Sequence, residues 1–286
     1  MAENIVRSRY VMAGGVRTHY SEGGDNGPPL VGLHGGGAGS SGIAGFGKLM
    51  SALGQHFTVY ALDSVGGYGD TDTAAPVPHG IQSRADHLAD FMDALCLDDV
   101  YMVGNSQGAW AAARYAIMHP DRVEKLCYIG SATIASAMGL EVPPSEGMRV
   151  LRSYDGTKEA MRRLMDALTY DKSAVTDELV EARQNAASRP GAAEARQAFQ
   201  EGTQRFQSDP RLGPMAYDMR ETLPKLPIPS IFIWGEEDTF ALPEMGREVE
   251  KALPNIPFHW VPKAGHQAQT DQPEIVAKIL LDFFTS

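Results

Sequence analysis

Residues 100–108 read VYMVGNSQG, and this stretch decides the fold. Its first four residues are apolar and predict a short buried strand, while the Ala-rich run 109–118 predicts a helix. Between them, the segment 104–108 matches the pattern Gly-x-Ser-x-Gly. Glycines at both ends let the chain turn tightly from strand to helix and lift the serine hydroxyl above the strand end. We therefore interpret Ser106 as a nucleophile and not as part of an ordinary strand–helix turn.

Strands alternate with helices on both sides of this turn. A predicted hairpin opens the chain around Gly14-Gly15. Further strands are predicted at 30–33, 57–62, 123–129, 230–234 and 258–261, and helices at 44–54, 83–97 and 274–284. Such alternation is typical of an α/β fold with a mostly parallel central sheet covered by helices on both faces.

The middle of the chain breaks this alternation. From residue 135 to residue 220 we find no clear buried strand, and four segments have helical periodicity: 145–154, 157–170, 176–188 and 191–208. A helical block inserted between two halves of a sheet predicts a lid over its carboxyl edge, where open α/β sheets bind ligands. We expect a core formed by residues 1–134 and 221–286, with a helical lid at 135–220, which suits a chain of 286 residues.

A serine hydroxyl is a weak nucleophile on its own, so a base is required. Among the eight histidines we favour His266, because it lies on a loop directly after the predicted strand 258–261 and therefore at the carboxyl edge of the sheet. The others lie within strands or helices, at their ends or in other loops: His19, His34, His56, His79, His87, His119 and His259.

An imidazole base needs a carboxylate that fixes its tautomer and stabilises its protonated form. The segment 234–238 reads WGEED and follows the predicted strand 230–234, so its acids also lie at the carboxyl edge. We predict that Asp238, after the tight turn, orients His266. Glu236 and Glu237 are interpreted as solvated loop charges, with Glu237 as the fallback.

The segment 34–37 reads HGGG and follows the predicted strand 30–33. Glycines let main-chain N–H groups approach a developing oxyanion, so we predict that the N–H groups of Gly36 and Gln107 form an oxyanion hole. A glycine-rich turn without a chemical role stays an alternative. A phosphate-binding loop is not favoured, because no Gly-Lys-Ser or Gly-Lys-Thr follows.

The composition is that of an ordinary globular enzyme, with 43% hydrophobic and 21% charged residues. The formal net charge is −11 and no cluster of Lys or Arg stands out, which argues against nucleic acids and anionic membranes as partners. No metal-ligand spacing is present, so we expect neither a metal nor an organic cofactor. The expected partner is a small-molecule substrate, and a homo-oligomer is left open.

The two cysteines and the N-terminus bear on the cellular compartment. Cys96 and Cys127 each stand among apolar residues, outside any Cys-x-x-Cys motif, so we expect two buried free thiols. The first ten residues, MAENIVRSRY, lack the apolar stretch of a signal peptide. No apolar run approaches the roughly 20 residues that cross a bilayer. We therefore expect a cytoplasmic protein.

Along nearly its whole length the sequence resembles the α/β-hydrolase superfamily, in which the nucleophile, the acid and the histidine follow in this chain order. Within it, the sequence looks like the meta-cleavage product hydrolases, which split ring-fission products of the 2-hydroxy-6-oxohexa-2,4-dienoate type at a carbon–carbon bond. The stretches that carry this resemblance are HGGGAG at 34–39, GNS at 104–106 and, within the predicted lid, YDKS at 170–173, TDELVEAR at 176–183 and SRPG at 188–191.

The resemblance implies a reaction and a set of substrate contacts. The dienol would first ketonise, and Ser106, activated by His266, would then attack the ketone carbonyl or assist water in doing so. Arg183 would bind the dienoate carboxylate as a bidentate clamp and assist ketonisation, whereas its position alone predicts a surface residue of a helix. The remaining implied contacts are Asn105, Gly35, Gly37, Leu168 and Gln267.

Three positions depart from the family pattern. Gln267 stands where the family usually has Trp, Gly45 where Asn is frequent, and the segment 107–109 reads QGA in place of Met-Gly-Gly. A carboxylesterase or lactonase with the same triad therefore stays an alternative. So do a ligand receptor and a cofactor-free oxygenase on the same scaffold. An epoxide hydrolase or dehalogenase is not expected, because these enzymes need Asp at position 106.

Overall fold

A computed structural model describes residues 6–25 and 27–286. In these residues, eight strands form one sheet: β1 (Arg7–Ala13), β2 (Val16–Gly23), β3 (Pro29–Leu33), β4 (Thr58–Leu62), β5 (Val100–Asn105), β6 (Val123–Ile129), β7 (Ser230–Gly235) and β8 (Phe258–Val261). The expectation that no signal peptide is present rests partly on residues 1–5, which lie outside the described residues.

The strands follow the order β1-β2-β4-β3-β5-β6-β7-β8 across the sheet. β2 runs antiparallel to β1 and β4, and every other pair of neighbours is parallel. This confirms the predicted α/β fold with a mostly parallel sheet. The winding direction of the chain reverses between β3 and β5, and such a switch point opens a crevice at the carboxyl ends of the strands. The loops that follow β3 and β5 therefore lie side by side.

Helices cover both faces of the sheet: α1 (Gly42–Leu53), α2 (Ile81–Ala94), α3 (Gln107–Met118), α4 (Ala132–Ala137), α5 (Glu146–Arg152), α6 (Lys158–Leu168), α7 (Asp177–Ala187), α8 (Ala192–Ser208), α9 (Pro243–Ala252), α10 (Ala268–Asp271) and α11 (Pro273–Phe284). One apolar cluster contains residues of α2, α3 and α9, and a second contains residues of α1 and α11. Met102 belongs to the first cluster and Val103 to the second, since successive side chains of a strand point to opposite faces. The sheet is thus the middle layer of three.

Between β6 and β7 the described chain forms helices and turns. Hydroxyl side chains start three of these helices: Ser145, Thr157 and Thr176 accept hydrogen bonds from the main-chain N–H groups of the first turns of α5, α6 and α7. These caps explain why the periodic segments begin where they do. A separate apolar cluster includes Leu164 of α6 and Phe240 of the loop after β7, so it attaches the helical segment to the sheet layer.

Three helices were not predicted from the sequence: α4, α9 and the four-residue α10. α4 has only six residues, which is too short to show a periodic pattern. α9 is amphipathic and buries Met245, Gly246 and Val249 on one side, so the signal was present in the sequence and was missed. α4 and α9 lie next to β6 or β7 and extend the layer that covers one face of the sheet.

The prediction of two buried cysteines is correct for Cys127 and wrong for Cys96, which is exposed. Cys96 follows the end of α2 and has a φ of 52°. This left-handed turn directs the next residue, Leu97, into the apolar cluster and leaves the thiol of Cys96 at the surface. Among the described residues, no helix has both the length and the apolar character needed to span a bilayer.

Candidate active site

Ser106 occupies a strained turn between β5 and α3. Its φ of 56° and ψ of −118° are rarely adopted by residues other than glycine. The glycines on either side are required by close packing: a Cβ atom at position 104 would lie 2.5 Å from the carbonyl oxygen of Gly108, and one at position 108 would lie 2.1 Å from the carbonyl oxygen of Leu33. The Gly-x-Ser-x-Gly pattern thus produces the predicted turn, which exposes the serine at the strand end.

His266 and Asp238 form a buried pair, with side-chain exposures of 7% and 0%. The distance from His266 Nδ1 to Asp238 Oδ2 is 2.8 Å. Asp238 Oδ1 accepts hydrogen bonds from the main-chain N–H groups of Phe240 at 2.7 Å and Ala241 at 2.9 Å. The carboxylate is therefore fixed on both oxygens, and it directs the Nδ1–H tautomer of the imidazole.

Asp238 is the acid that lies against His266. Glu237, the predicted fallback, is exposed, and its carboxylate accepts a hydrogen bond from the main-chain N–H of Ala264 at 2.9 Å. It therefore anchors the loop that carries the histidine and does not contact the imidazole. Phe240 stacks on the ring of His266 with a centroid separation of 4.9 Å, which shields one face of the imidazole.

Asn105 connects the serine turn to the histidine loop. Its side-chain amide donates to the carbonyl oxygens of Ile129 at 3.1 Å and His266 at 3.0 Å. Both amide hydrogens are therefore used inside the protein, and the predicted contact with a substrate carboxylate lacks a free donor in this structure. Within residues 6–25 and 27–286, the Ser106 hydroxyl and the His266 Nε2 atom take part in no hydrogen bond. In enzymes without bound substrate, the hydrogen bond between the serine hydroxyl and the histidine is often long, and it shortens in the complex.

The two residues predicted to supply the oxyanion donors, Gly36 and Gln107, are in contact. A Cβ atom at position 36 would lie 2.6 to 2.9 Å from the amide group of the Gln107 side chain, so this side chain packs flat on Gly36. In the described part of the chain, the main-chain N–H groups of Gly36 and Gln107 donate no hydrogen bond. Two unpaired N–H groups beside the serine are what an oxyanion hole requires.

His34 orients one of these donors. The main-chain N–H of Ser64 donates to His34 Nε2 at 3.1 Å, so Nδ1 carries the proton and donates to the carbonyl oxygen of Gly35 at 2.6 Å. Burial, with a contribution from the nearby Arg84 cation, lowers the pKa of His34 to about 3, which keeps the ring neutral. The carbonyl of Gly35 and the N–H of Gly36 belong to one trans peptide and point in opposite directions. The hydrogen bond from His34 to the Gly35 carbonyl therefore also fixes the direction of the Gly36 N–H.

Arg183 of α7 is buried, with 8% exposure. Its guanidinium donates to the carbonyl oxygen of Ala38 at 3.0 Å and to the Ser40 hydroxyl at 3.1 Å. Neither partner is charged, and among the described residues Arg183 forms no ion pair with a carboxylate. Burial lowers its pKa to about 10, so it remains a cation at neutral pH. The guanidinium also lies 3.6 Å from the Cβ position of Gly37, one residue from the predicted oxyanion donor Gly36.

A largely apolar cavity of about 610 Å³ lies between α1 and the segment from α6 to α7. Three of the predicted substrate contacts, Leu168, Arg183 and Gln267, line it, whereas Ser106 and His266 are not part of its wall. Gly35 is placed elsewhere, since its Cβ position lies 3.2 Å from Ser106 Cβ. Predicted contacts thus fall into two sets, one at the serine and one along this cavity.

In residues 6–25 and 27–286, no three His, Cys, Asp or Glu side chains cluster to hold a metal ion.

Sequence reasoning missed two polar residues near the site. Asp271 accepts hydrogen bonds from the main-chain N–H groups of Gly265 at 2.7 Å and Tyr170 at 3.0 Å, and so joins the histidine loop to the helical segment. Burial raises the pKa of its carboxyl group. Its position five residues after His266 was the one available signal. Arg84 was missed because it lies in a helix whose pattern is otherwise ordinary.

Comparison with known proteins gives consistent matches over most or nearly all of the chain. The family model of the alpha/beta hydrolase fold matches residues 28–273. The chain is 31% identical to the 2-hydroxy-6-oxo-2,4-heptadienoate hydrolase of Pseudomonas putida, over 99% of this chain and 98% of that protein. It is 30% identical to a 2-hydroxy-6-oxononadienedioate/2-hydroxy-6-oxononatrienedioate hydrolase of Paraburkholderia phymatum, over 96% of this chain and 95% of that protein. Among solved structures, the meta-cleavage product hydrolase CumD of Pseudomonas fluorescens superposes with a TM-score of 0.80 at 29% identity, over 97% of each chain.

Proposed function

The chain belongs to the α/β-hydrolase fold family and groups with its meta-cleavage product hydrolases, and from this premise we propose that it cleaves a carbon–carbon bond in a vinylogous 1,5-diketone derived from an aromatic ring. The substrate is a 2-hydroxy-6-oxohexa-2,4-dienoate. Water is consumed, and the products are a carboxylic acid, from the ketone end, and 2-hydroxypenta-2,4-dienoate. Ser106, His266 and Asp238 are the proposed catalytic triad.

In the first stage the dienol becomes a ketone inside the pocket. Arg183 holds the carboxylate and favours the keto form, in which the 2-oxo group is next to that carboxylate. The His266–Asp238 pair is the proposed route for the proton. Ketonisation matters because it creates an electron sink, so that the carbon leaving in the second stage departs as a stabilised dienol and not as a free carbanion.

In the second stage the C6 ketone carbonyl is attacked. His266 removes the proton from Ser106 as the hydroxyl adds to the carbonyl, or from a water molecule that the serine assists. The N–H groups of Gly36 and Gln107 stabilise the oxygen that becomes negative. When the carbon–carbon bond breaks, the electron pair moves into the dienol and the protonated histidine returns its proton to the leaving group. Water then releases the acid.

The observation that carries this proposal is the buried Arg183 cation without a carboxylate partner. A buried charge is costly unless it is paired. Here the unpaired charge, on α7, lies against the glycine-rich loop that carries the proposed oxyanion donor Gly36. An ester or lactone needs the triad and the oxyanion hole but has no use for this cation, whereas a dienoate carboxylate neutralises it.

Several finer features complete the proposal. The helical segment 135–220 acts as a lid that excludes water from the pocket, with Leu168 and Gln267 contacting the substrate beneath it. Asn105 holds the histidine loop. The enzyme works in the cytoplasm on a small molecule, without a cofactor, and self-association is compatible with this arrangement.

The test compares two substrates with the purified enzyme. A ring-fission dienol, followed by the loss of its visible colour, should be hydrolysed much faster than p-nitrophenyl acetate, and Ser106→Ala should abolish both activities. Fast turnover of the ester with no turnover of any of several dienols would identify a carboxylesterase or lactonase and reject carbon–carbon cleavage. Full activity of Ser106→Ala on the dienol would reject the proposed nucleophile.

A further inference from the structure

Arg84 of α2 is a second buried arginine without an acidic partner. It is 1% exposed. Its guanidinium donates to the carbonyl oxygen of His34 at 2.5 Å, to the Ser64 hydroxyl at 3.0 Å and to the side-chain carbonyl of Gln107 at 3.3 Å. Among the described residues it forms no ion pair, and its buried Nε atom has no hydrogen-bond partner. Burial lowers the pKa of Arg84 to about 10, so the positive charge persists at neutral pH.

Two of the three hydrogen-bond partners of Arg84, His34 and Gln107, belong to the two segments that supply the proposed oxyanion donors, while Ser64 lies in the loop after β4. The carbonyl of His34 is part of the peptide that leads into Gly35 and Gly36. The side chain of Gln107, held at its oxygen by Arg84, packs against Gly36. One guanidinium therefore fixes both segments relative to each other. No motif requires an arginine here, and the hydrophobic pattern of α2 would be satisfied by an apolar residue.

The charge itself is also unusual. Fully buried arginines are normally paired, because the desolvation of the cation must be offset. The hydroxyl, amide and carbonyl acceptors around Arg84 carry only partial charges, as does the ring of Tyr68, whose centroid lies 5.3 Å from the guanidinium carbon. Among the described residues, no carboxylate pairs with this cation. In a water-excluded site, a preorganised positive field directed at the place where negative charge develops lowers the transition state more than the ground state.

We propose that Arg84 is a positioning residue of the oxyanion hole: it aligns the Gly36 and Gln107 donors from behind, and its uncompensated positive charge stabilises the tetrahedral oxyanion. It does not touch the substrate. The inference rests on the proposed Ser106 hydrolase chemistry, but it does not depend on whether the substrate is a dienoate or an ester, because both reactions pass through an oxyanion.

The experiment uses Arg84→Met, Arg84→Lys and, as a matched control, Arg114→Met. Arg114 is half-buried on α3, packs against α2 and donates to Gln82 at 3.1 Å, two turns away from Gln107. For each protein, kcat and KM are measured on p-nitrophenyl acetate and on a dienol. The inhibition constant is measured for phenylboronic acid, which forms an anionic tetrahedral adduct with an active serine.

Removing one oxyanion donor outright costs about 10² to 10³ in kcat. Arg84→Met keeps both N–H groups, so we expect a smaller loss, about 10- to 100-fold in kcat on either substrate, with KM changed by less than about threefold. The affinity for phenylboronic acid should fall by the same factor as kcat. Arg84→Lys, which keeps the charge, should recover a large part of both, and Arg114→Met should match the wild type.

If Arg84→Met keeps the kcat and boronate affinity of the wild type, or changes KM alone, the inference is overturned. The same holds if Arg114→Met shows equal losses, since the effect would then be a general consequence of removing a buried arginine. Should Arg84→Met fail to fold, Gln107→Glu takes its place: its carboxylate keeps the contact with Arg84 and leaves the main-chain N–H in place but neutralises the cation, and an unchanged kcat would overturn the role of the charge. Should wild-type enzyme hydrolyse only the ester, the proposed function fails while the ester and boronate data still decide the role of Arg84.

Discussion

Replacing Arg183 by Met should stabilise the enzyme while it destroys activity on a dienoate. Burial lowers the pKa of Arg183 from its usual value to about 10, so the folded state holds this cation at a cost of about 3 kcal/mol relative to the unfolded chain. The cost is fully present at pH 7, because both the folded and the unfolded arginine are protonated below pH 10. Above that pH the folded form loses its proton first, and the cost declines.

Methionine removes the charge but also removes two hydrogen bonds. The carbonyl of Ala38 and the hydroxyl of Ser40 lose their donor, which costs about 1–2 kcal/mol together. The net effect is a gain of about 1 kcal/mol, which raises Tm by about 2–4 °C for a protein of this size. Thermal unfolding at pH 7, followed by circular dichroism, measures it. Most substitutions of buried residues destabilise by about 0.5–3 kcal/mol, so the predicted sign is distinctive.

The activity of the same variant should depend on the substrate. Truncating one partner of a buried, hydrogen-bonded charge pair costs about 2–5 kcal/mol, so kcat/KM on a dienoate should fall by about 10² to 10³. With a neutral ester it should change by less than about threefold. Arg162→Met is the control, because Arg162 also belongs to the helical segment but lies nearer the surface and pairs with Asp177.

A loss of more than about 2 kcal/mol of stability in Arg183→Met would show that the guanidinium supports the fold. Equal losses of activity on the dienoate and on the ester would contradict the carboxylate clamp. Either result would remove the main support for an anionic substrate.

Three further changes test the catalytic groups. Ser106→Ala should reduce kcat by about 10⁶ on every substrate, as steady-state kinetics will measure, and a loss below about 10² would exclude a nucleophilic role. Asp238→Asn keeps an acceptor for the N–H groups of Phe240 and Ala241 but favours the wrong histidine tautomer. In steady-state kinetics, kcat should therefore fall by about 10⁴ with KM nearly constant. An unchanged kcat would show that Asp238 does not orient His266 for catalysis. Gly36→Ala places a methyl group 2.6 Å from Gln107 Oε1. This clash displaces the main-chain N–H of Gly36 and should lower kcat by about 10² to 10³. The control is Gly156→Ala, at a position with open space but a φ of 89°, which should affect stability alone.

Much of the architecture could be predicted because the signals were local. β6 and β8 have the bounds expected from their apolar runs, and the serine turn is dictated by glycines that pack against main-chain atoms. The pairing of His266 with Asp238 also agrees with the expected position of both loops at the carboxyl edge. Parallel strands bring such loops to one edge whatever the details of packing.

Other features depend on contacts between distant segments, which the sequence does not display. Asn105 has a motif position that suggests a substrate contact, but its amide is drawn to the carbonyl of His266, 161 residues later in the chain. Arg84 is hidden in an amphipathic helix and becomes notable only because the segments after β3 and β5 meet it. Cys96 has apolar neighbours, yet a left-handed turn places it at the surface.

The most direct test of carbon–carbon cleavage is a product balance on a ring-fission dienol. Purified enzyme should release one equivalent of carboxylic acid and one of 2-hydroxypenta-2,4-dienoate for each dienol consumed, as quantified by chromatography, while Ser106→Ala should release neither. Disappearance of the dienol without any acid would show that the enzyme only ketonises its substrate, and the account of a carbon–carbon bond hydrolase would be contradicted.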